Sequence, residues 1–184
     1  TITVSDSAGN VSNSLTITTF IVDSTAATLV EVTVVTTPNN DTTPDYTFSS
    51  SEAGSITYGG SCSSSTTSAT TDNNTITLVS LSDGTYSDCT ITVTDNASNS
   101  VTLNISSFVI DTTAPTVSST SPSDGATTDV NSFSATFSDL VDNTTLTTST
   151  FTVTDNSSNS VSGTVSSSDN TTVTFAPSSI TNGI

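Results

Sequence analysis

The first 28 residues of the chain return near its middle. Thr1–Thr28 reads TITVSDSAGNVSNSLTITTFIVDSTAAT, and Thr90–Thr116 reads TITVTDNASNSVTLNISSFVIDTTAPT. Thr1-Ile2-Thr3-Val4 corresponds to Thr90-Ile91-Thr92-Val93 at an offset of 89 residues. Phe20-Ile21-Val22-Asp23 corresponds to Phe108-Val109-Ile110-Asp111 at 88, so one residue is gained or lost between them. A third, partial copy, FTVTDNSSNSV, begins at Phe151. Repetition at this period makes each copy part of one folding unit. It predicts that residues 1–29 are the C-terminal hairpin of a domain plus a linker. Residues 30–113 are then a complete domain, and 114–184 a domain lacking its last strands.

Within the repeats the apolar period is two. Ile2/Val4, Val30/Val32/Val34, Ile76/Leu78, Ile91/Val93, Val101/Leu103/Ile105, Phe133/Ala135/Phe137, Phe151/Val153 and Val173/Phe175 alternate with polar residues. That is the pattern of half-buried antiparallel strands. Thr and Val favour strands, and no segment carries a 3.6-residue stripe. Turn signals separate the strands: Thr37-Pro38-Asn39-Asn40, Asp72-Asn73-Asn74, Ser82-Asp83-Gly84, Asp95-Asn96 and Ser123-Asp124-Gly125. Several short strands per repeat without helices predict an all-β chain of tandem β-sandwiches.

What is missing narrows function further. The chain has 17 acidic residues and no Lys, Arg or His, giving a formal charge of −17. Without cations it cannot neutralise nucleic-acid phosphates or anionic lipid. Without His or Lys it has no usual general base and no Schiff-base nucleophile, and no Lys–Asn isopeptide cross-link. Carboxylates alone could serve a glycosidase, but Glu31 and Glu52 are the only glutamates and Trp is absent. The chain is therefore not expected to be an enzyme. No run of about 18 apolar residues marks a membrane span. Leu, Ile, Val and Phe make up 42 of 184 residues. That is just above the roughly 20% below which a highly charged chain stays disordered, so the core is thin.

The motif Val4-Ser5-Asp6-Ser7-Ala8-Gly9-Asn10, leading to Val22-Asp23-Ser24-Thr25-Ala26, resembles the bacterial Ig-like repeats of giant surface adhesins. So do Val93-Thr94-Asp95, leading to Asp111-Thr112-Thr113-Ala114-Pro115, and the segment Asn40 to Cys62, similar to their B and C strands. From Pro115 onward, PTVSSTSPSDGAT, FSATFSD, TLTTSTFTVTD and NTTVTFAPSS are similar to the Ig-like domains of S-layer and other envelope proteins. Ala27 stands where the second copy has Pro115, a departure that predicts a less stiff junction. The resemblance implies tandem Ig-like sandwiches and an extracellular or cell-surface location.

On that reading Cys62 ends strand C and Cys89 opens strand F, neighbours in one sheet. A disulfide is expected in an exported chain, worth about 3 kcal/mol through the unfolded state; two free buried thiols are the alternative. Asp23 in the entry linker, Glu52 in the BC loop and Asp95 in the FG loop should converge at one end of the complete domain. Asp41, Asp83 and Asp111 should gather at the other. Carboxylates without basic partners suit calcium (Ca2+), which the resembling adhesin repeats bind at domain junctions. The competing reading is that these acids cap turns and remain solvated. Neither an EF-hand nor a glycine-rich calcium nonapeptide is present. Asn-x-Ser/Thr sequons at Asn10, Asn40, Asn73, Asn96, Asn104, Asn143, Asn156 and Asn170 are frequent by chance in such a composition.

The functional expectation is a structural segment of an extracellular fibre, filament or adhesin stalk. A carbohydrate- or receptor-binding Ig-like module is the alternative, with Tyr46, Tyr58 and Tyr86 as its only tyrosines. The chain opens directly on a strand and stops at Ile184, as an excised stretch would. Residues 1–23 of one copy are expected to complete residues 114–184 of another, head to tail. Strand donation between subunits or one long tandem protein would both satisfy this.

Overall fold

The computed structural model describes residues 1–124, 131–155 and 157–179. The expected turn at Gly125, the sequon Asn156 and the terminal Thr181-Asn182-Gly183-Ile184 lie outside the described residues. The described chain is almost entirely antiparallel β, as expected for Ig-like β-sandwich architecture. None of its helices is long and apolar enough to cross a membrane. It divides into two compact units, Thr1–Thr112 and Thr113–Ile184.

In the first unit one sheet holds β1 (Leu29–Thr33), β2 (Asp45–Ser50) and β5 (Asp72–Thr77), in the order β1-β2-β5. A second sheet holds β3 (Gly54–Gly59), β4 (Ser68–Ala69), β7 (Thr90–Thr94) and β8 (Ser100–Asn104), ordered β4-β3-β7-β8. A ribbon pairs β6 (Gly84–Tyr86) with β9 (Phe108–Ile110). The period-two pattern sends Tyr46 and Phe48 inward from β2, Ile76 from β5 and Ile91 and Val93 from β7. Phe108 and Ile110 join them from β9, and all seven are at most 1% exposed. Full burial of such a side chain contributes about 1.5–3 kcal/mol, so few residues supply most of the stability.

Strand β1 alternates as expected but faces the other way. Val30, Val32 and Val34 are about half exposed, while Leu29 and Glu31 turn toward the core. Leu29 pairs with Ser50 and Glu31 with Phe48. Those partners face inward, so register parity fixes the face of β1. The register shifts between Glu31 and Thr33, and Val35, beyond the end of the strand, lies in the core. Asp72-Asn73-Asn74 also departs from expectation by opening β5 rather than ending in a turn. Asp72 takes the left-handed conformation (φ 76°). The Asn74 amide is buried and saturated: it donates to the Thr70 and Asp72 carbonyls and accepts from Thr70 N–H at 2.8 Å.

Cys62 and Cys89 form a disulfide with a Cα–Cα distance of 5.2 Å. They lie just beyond the last rung between β3 and β7, Gly59 against Thr90. Gly60 makes the turn between that rung and Cys62 at φ 72°, where a Cβ would fall onto the Asp88 carbonyl.

Thr1–Val22 forms an open hairpin held by the bridges Ile2–Leu15 and Ser5–Val11. Ile2 and Val4, expected on a half-buried strand, are 50% and 65% exposed. The cause is visible in the internal copy, where Ile91 and Val93 are buried against β2 and β5 of their own sandwich.

The second unit is a four-stranded sheet ordered β10-β11-β13-β12. Its strands are β10 (Val117–Ser121), β11 (Phe133–Phe137), β12 (Gly163–Ser167) and β13 (Thr172–Pro177). Ala135, Val173 and Phe175 form its buried centre. The strand expected at Phe151–Val153 does not form; that segment keeps one bridge, Thr154–Ser160, and stacks Phe151 on Phe175 at 6.5 Å. A hydrogen-bonded pair marks the same place in both units. Thr28 N–H donates to Ser51 Oγ and Ser51 N–H to the Thr28 carbonyl; Thr116 and Ser138 make the same two bonds.

Candidate functional site

The first unit brings three carboxylates together. Glu52 lies in the turn from β2 to β3, where the buried Ser50 hydroxyl donates to the Glu52 carbonyl at 2.6 Å and fixes its main chain. Asp95 follows β7 and opens the hairpin turn to β8. Asp23 lies in the segment leading to β1, its Oδ1 accepting from Thr25 N–H at 3.0 Å. One oxygen from each of Asp23, Glu52 and Asp95 lies within 4.8 Å of the others. They border an open cleft of about 450 Å³ that Ile21, Ala53 and Ala97 also line.

Asp95 is held by its own turn. Its Oδ1 accepts from Ala97 N–H at 2.8 Å and Asn99 N–H at 2.9 Å, while Oδ2 accepts from the Asn99 amide at 2.9 Å. The Asn99 side chain, then these main-chain donors, hold the Asp95 carboxyl below the usual aspartate range. The same amide nitrogen reaches the carbonyls of Asp23 at 3.3 Å and Thr25 at 3.4 Å, tying the turn to the entering segment. Asn99 is the functional neighbour that sequence reading missed. Its signal was present: Asp-x-x-x-Asn recurs as Asp6–Asn10, Asp95–Asn99 and Asp155–Asn159, with the same three bonds onto each aspartate. The residue before each asparagine, Gly9, Ser98 or Ser158, has positive φ, so each turn closes on a left-handed residue.

The other three expected acids are placed differently. Asp41 Oδ1 caps its own turn, accepting from Thr43 N–H at 2.8 Å. Asp83 Oδ1 accepts from Thr112 N–H at 3.0 Å and its hydroxyl at 2.8 Å. Asp111 N–H donates to the Asn39 carbonyl. Among the described residues these three do not form a coordinating group; local turn chemistry claims Asp41, and Asp83 secures the end of β9.

The donor set at Asp23, Glu52 and Asp95 fits a hard divalent cation. It offers carboxylate oxygens from three segments, with no cationic side chain in the sequence to neutralise them. Ca2+ takes oxygen donors in flexible geometry, which suits ligands from a linker and two turns.

Residues 111–182 match the bacterial Ig-like domain family, which supports a bacterial Ig-like domain in that part of the chain. No curated protein and no solved structure matches the chain.

Proposed function

We propose that the chain is a structural segment of an extracellular fibre, filament or adhesin stalk, made of Ig-like modules in tandem and assembling head to tail. The observation that carries this reading is the recurrence of one hydrogen-bonded device just before the first sheet strand of each unit. Thr28 with Ser51, and Thr116 with Ser138, join the first strand's approach to the end of the second strand in the same way. Units repeated in this manner form quasi-one-dimensional arrays. The matched family consists of non-catalytic structural domains that are commonly surface-associated. High negative charge favours an extended, soluble array.

In this reading Ca2+ held by Asp23, Glu52 and Asp95 stiffens the entry to the first unit, because its ligands would come from the linker and from two turns of the sandwich. The competing reading, a carbohydrate- or receptor-binding module, lacks a tyrosine platform. Tyr46 is buried, and the hydroxyls of Tyr58 and Tyr86 donate to the Thr66 and Ser82 carbonyls.

Antibodies against the chain, applied to intact and to permeabilised source cells, test the proposal. Labelling of extracellular strands on intact cells is expected. Labelling that needs permeabilisation overturns it.

A further inference from the structure

The outward face of the sheet β1-β2-β5 carries an apolar strip along an edge strand. Val30, Val32 and Val34 are 54%, 48% and 51% exposed, on β1 and just past its end. Proteins ordinarily shade such residues with the aliphatic stems of long polar side chains. They blunt such edges with charged side chains, lysine above all. This chain has no Lys, Arg, Gln or Met. Its two glutamates are engaged elsewhere, Glu31 with Ser106 and Glu52 in the turn from β2 to β3.

The registers across this sheet bring one sequon to the strip. Val30 pairs with Ser49 and Ser49 with Asn73, so the three stand in one row. In the adjacent row on the same face Thr33 pairs with Thr47 and Thr47 with Thr75, the last two joined by their hydroxyls at 2.8 Å. Asn73 and Thr75 are the first and third residues of the sequon Asn73-Asn74-Thr75. Both are exposed, while Asn74 and Ile76 point into the unit. Strands lie about 4.8 Å apart, which puts Val30 about 10 Å from Asn73, within reach of a short glycan. Only the small side chains of Ser49 and Thr47 lie along that path. The other described sequons lack this setting. The Asn10 amide nitrogen donates to Asp6 Oδ2 at 2.8 Å, and that of Asn143 to Asn170. Asn40 and Asn96 lie in connections, and Asn104 ends β8 on the other sheet.

We propose that Asn73 is a glycosylation site whose glycan lies across Ser49 onto the valine strip of β1. The donor is an oligosaccharide carried on a lipid diphosphate. Its C1–O bond to the diphosphate breaks, a C1–N bond forms to the Asn73 amide nitrogen, and that nitrogen loses one proton. Because Asn74 is buried and hydrogen-bonded in the folded unit, transfer precedes the folding of β5. The backbone ladder is untouched, since only the exposed side chain is modified. A glycan is bulky and solubilising: the C–H faces of its rings cover the valines and its hydroxyls meet water. The site shares with the structural-array reading only its extracellular location.

Mass spectrometry of the protein isolated from its source cells tests the site, beside the variant N73Q from the same cells. Asn73 is exposed, so the variant leaves the core intact. A sugar mass on the peptide that contains Asn73 is expected, and its loss in N73Q. The variant should bind an apolar-surface dye several-fold more strongly, and V30T/V32T added to it should remove that rise. Extracellular protein with an unmodified Asn73 overturns the site and leaves the structural reading standing. A glycan on Asn73 whose loss leaves dye binding unchanged overturns its seating on β1.

Discussion

The Glu31 carboxylate receives both donors of Ser106, the main-chain N–H at 2.8 Å and the hydroxyl at 2.6 Å. This pair joins the edge strand β1 to the connection between β8 and β9, across 75 residues of sequence. It explains why a glutamate takes the inward side of β1 while valines face out. Tyr46 lies beneath, its hydroxyl buried without a partner in hydrogen-bonding geometry, yet close enough for the Glu31 charge to act on it. Burial, then that neighbour, push the Tyr46 phenol far above its ordinary range. At Glu31 burial pulls upward, but the bonds from Ser106 and the nearby Tyr46 hydroxyl outweigh it and leave the carboxyl below its ordinary value.

A carboxyl lowered by folding stabilises the folded state above its unfolded pKa, and that contribution is lost as pH falls toward the folded value. The first unit should therefore weaken below about pH 4.5, the ordinary Glu value. Ser106→Ala should cost about 1 kcal/mol or less at pH 7, because a hydrogen bond to a charged group is discounted where water screens it. It should also flatten the acid limb. Urea titrations at several pH values check both; an unchanged acid limb in Ser106→Ala removes Glu31 as its source.

Reduction of Cys62–Cys89 should destabilise the first unit by about 3.5 kcal/mol, the loop-entropy value for a closed loop with a sequence separation of 27. The second unit contains no cysteine and should be indifferent. Urea unfolding with and without reductant, followed by hydrogen exchange in each unit, separates the two. Equal loss in both units would mean that they unfold as one.

Alternation, the repeat and the cysteine pair were legible because each follows from local periodicity or from matching segments. The convergence of Asp23, Glu52 and Asp95 was legible through the Ig-like frame, since the entering linker and two turns at one end of a sandwich meet whatever their exact lengths. The facing of β1 was not. Its register against β2, with Leu29 opposite Ser50 and Glu31 opposite Phe48, decides it, and Val30/Val32/Val34 alternates equally well in either parity. The placement of Asp41 and Asp83 was not legible either, because an aspartate beside a turn reads alike whether it joins a cluster of acids, caps its own turn as Asp41 does, or receives Thr112 from a distant segment as Asp83 does. Asn99 was overlooked because an amide carries no charge to draw attention to it, although its spacing from Asp95 recurs twice elsewhere.

The recurring turn supplies a stabilising prediction. Ser98 and Ser158 adopt φ of 74° and 65°, where the first copy has Gly9 at 89°. A left-handed L-residue costs roughly 1 kcal/mol. Ser98→Gly should recover part of it in the first unit and Ser158→Gly in the second, less the added freedom of glycine in the unfolded chain. Thermal melts of both variants check this. A fall in stability would show that the serine side chains contribute more than their backbone strain removes.

Calcium should raise the stability of the first unit in a way that depends on Glu52. The three carboxylates stand within 4.8 Å of one another without a cationic side chain, so a bound cation relieves their repulsion and ties the linker to two turns. Extracellular calcium modules bind with dissociation constants of roughly 10⁻⁴–10⁻³ M. At about 10 mM Ca2+ the gain is then roughly 1.4–2.7 kcal/mol. Mg2+ should give less, because it is smaller and keeps its waters and its octahedral geometry. Glu52→Gln isolates the site, since Glu52 is tied to Ser50 through its main-chain groups while Asp95 and Asp23 also hold local turns. The variant should keep the calcium-free melting temperature, or raise it slightly as repulsion eases, and lose the calcium-dependent rise. Scattering measurements on the parent chain should report a stiffer particle with calcium than with chelator. Identical melting temperatures in calcium and in chelator would reduce the three acids to turn caps.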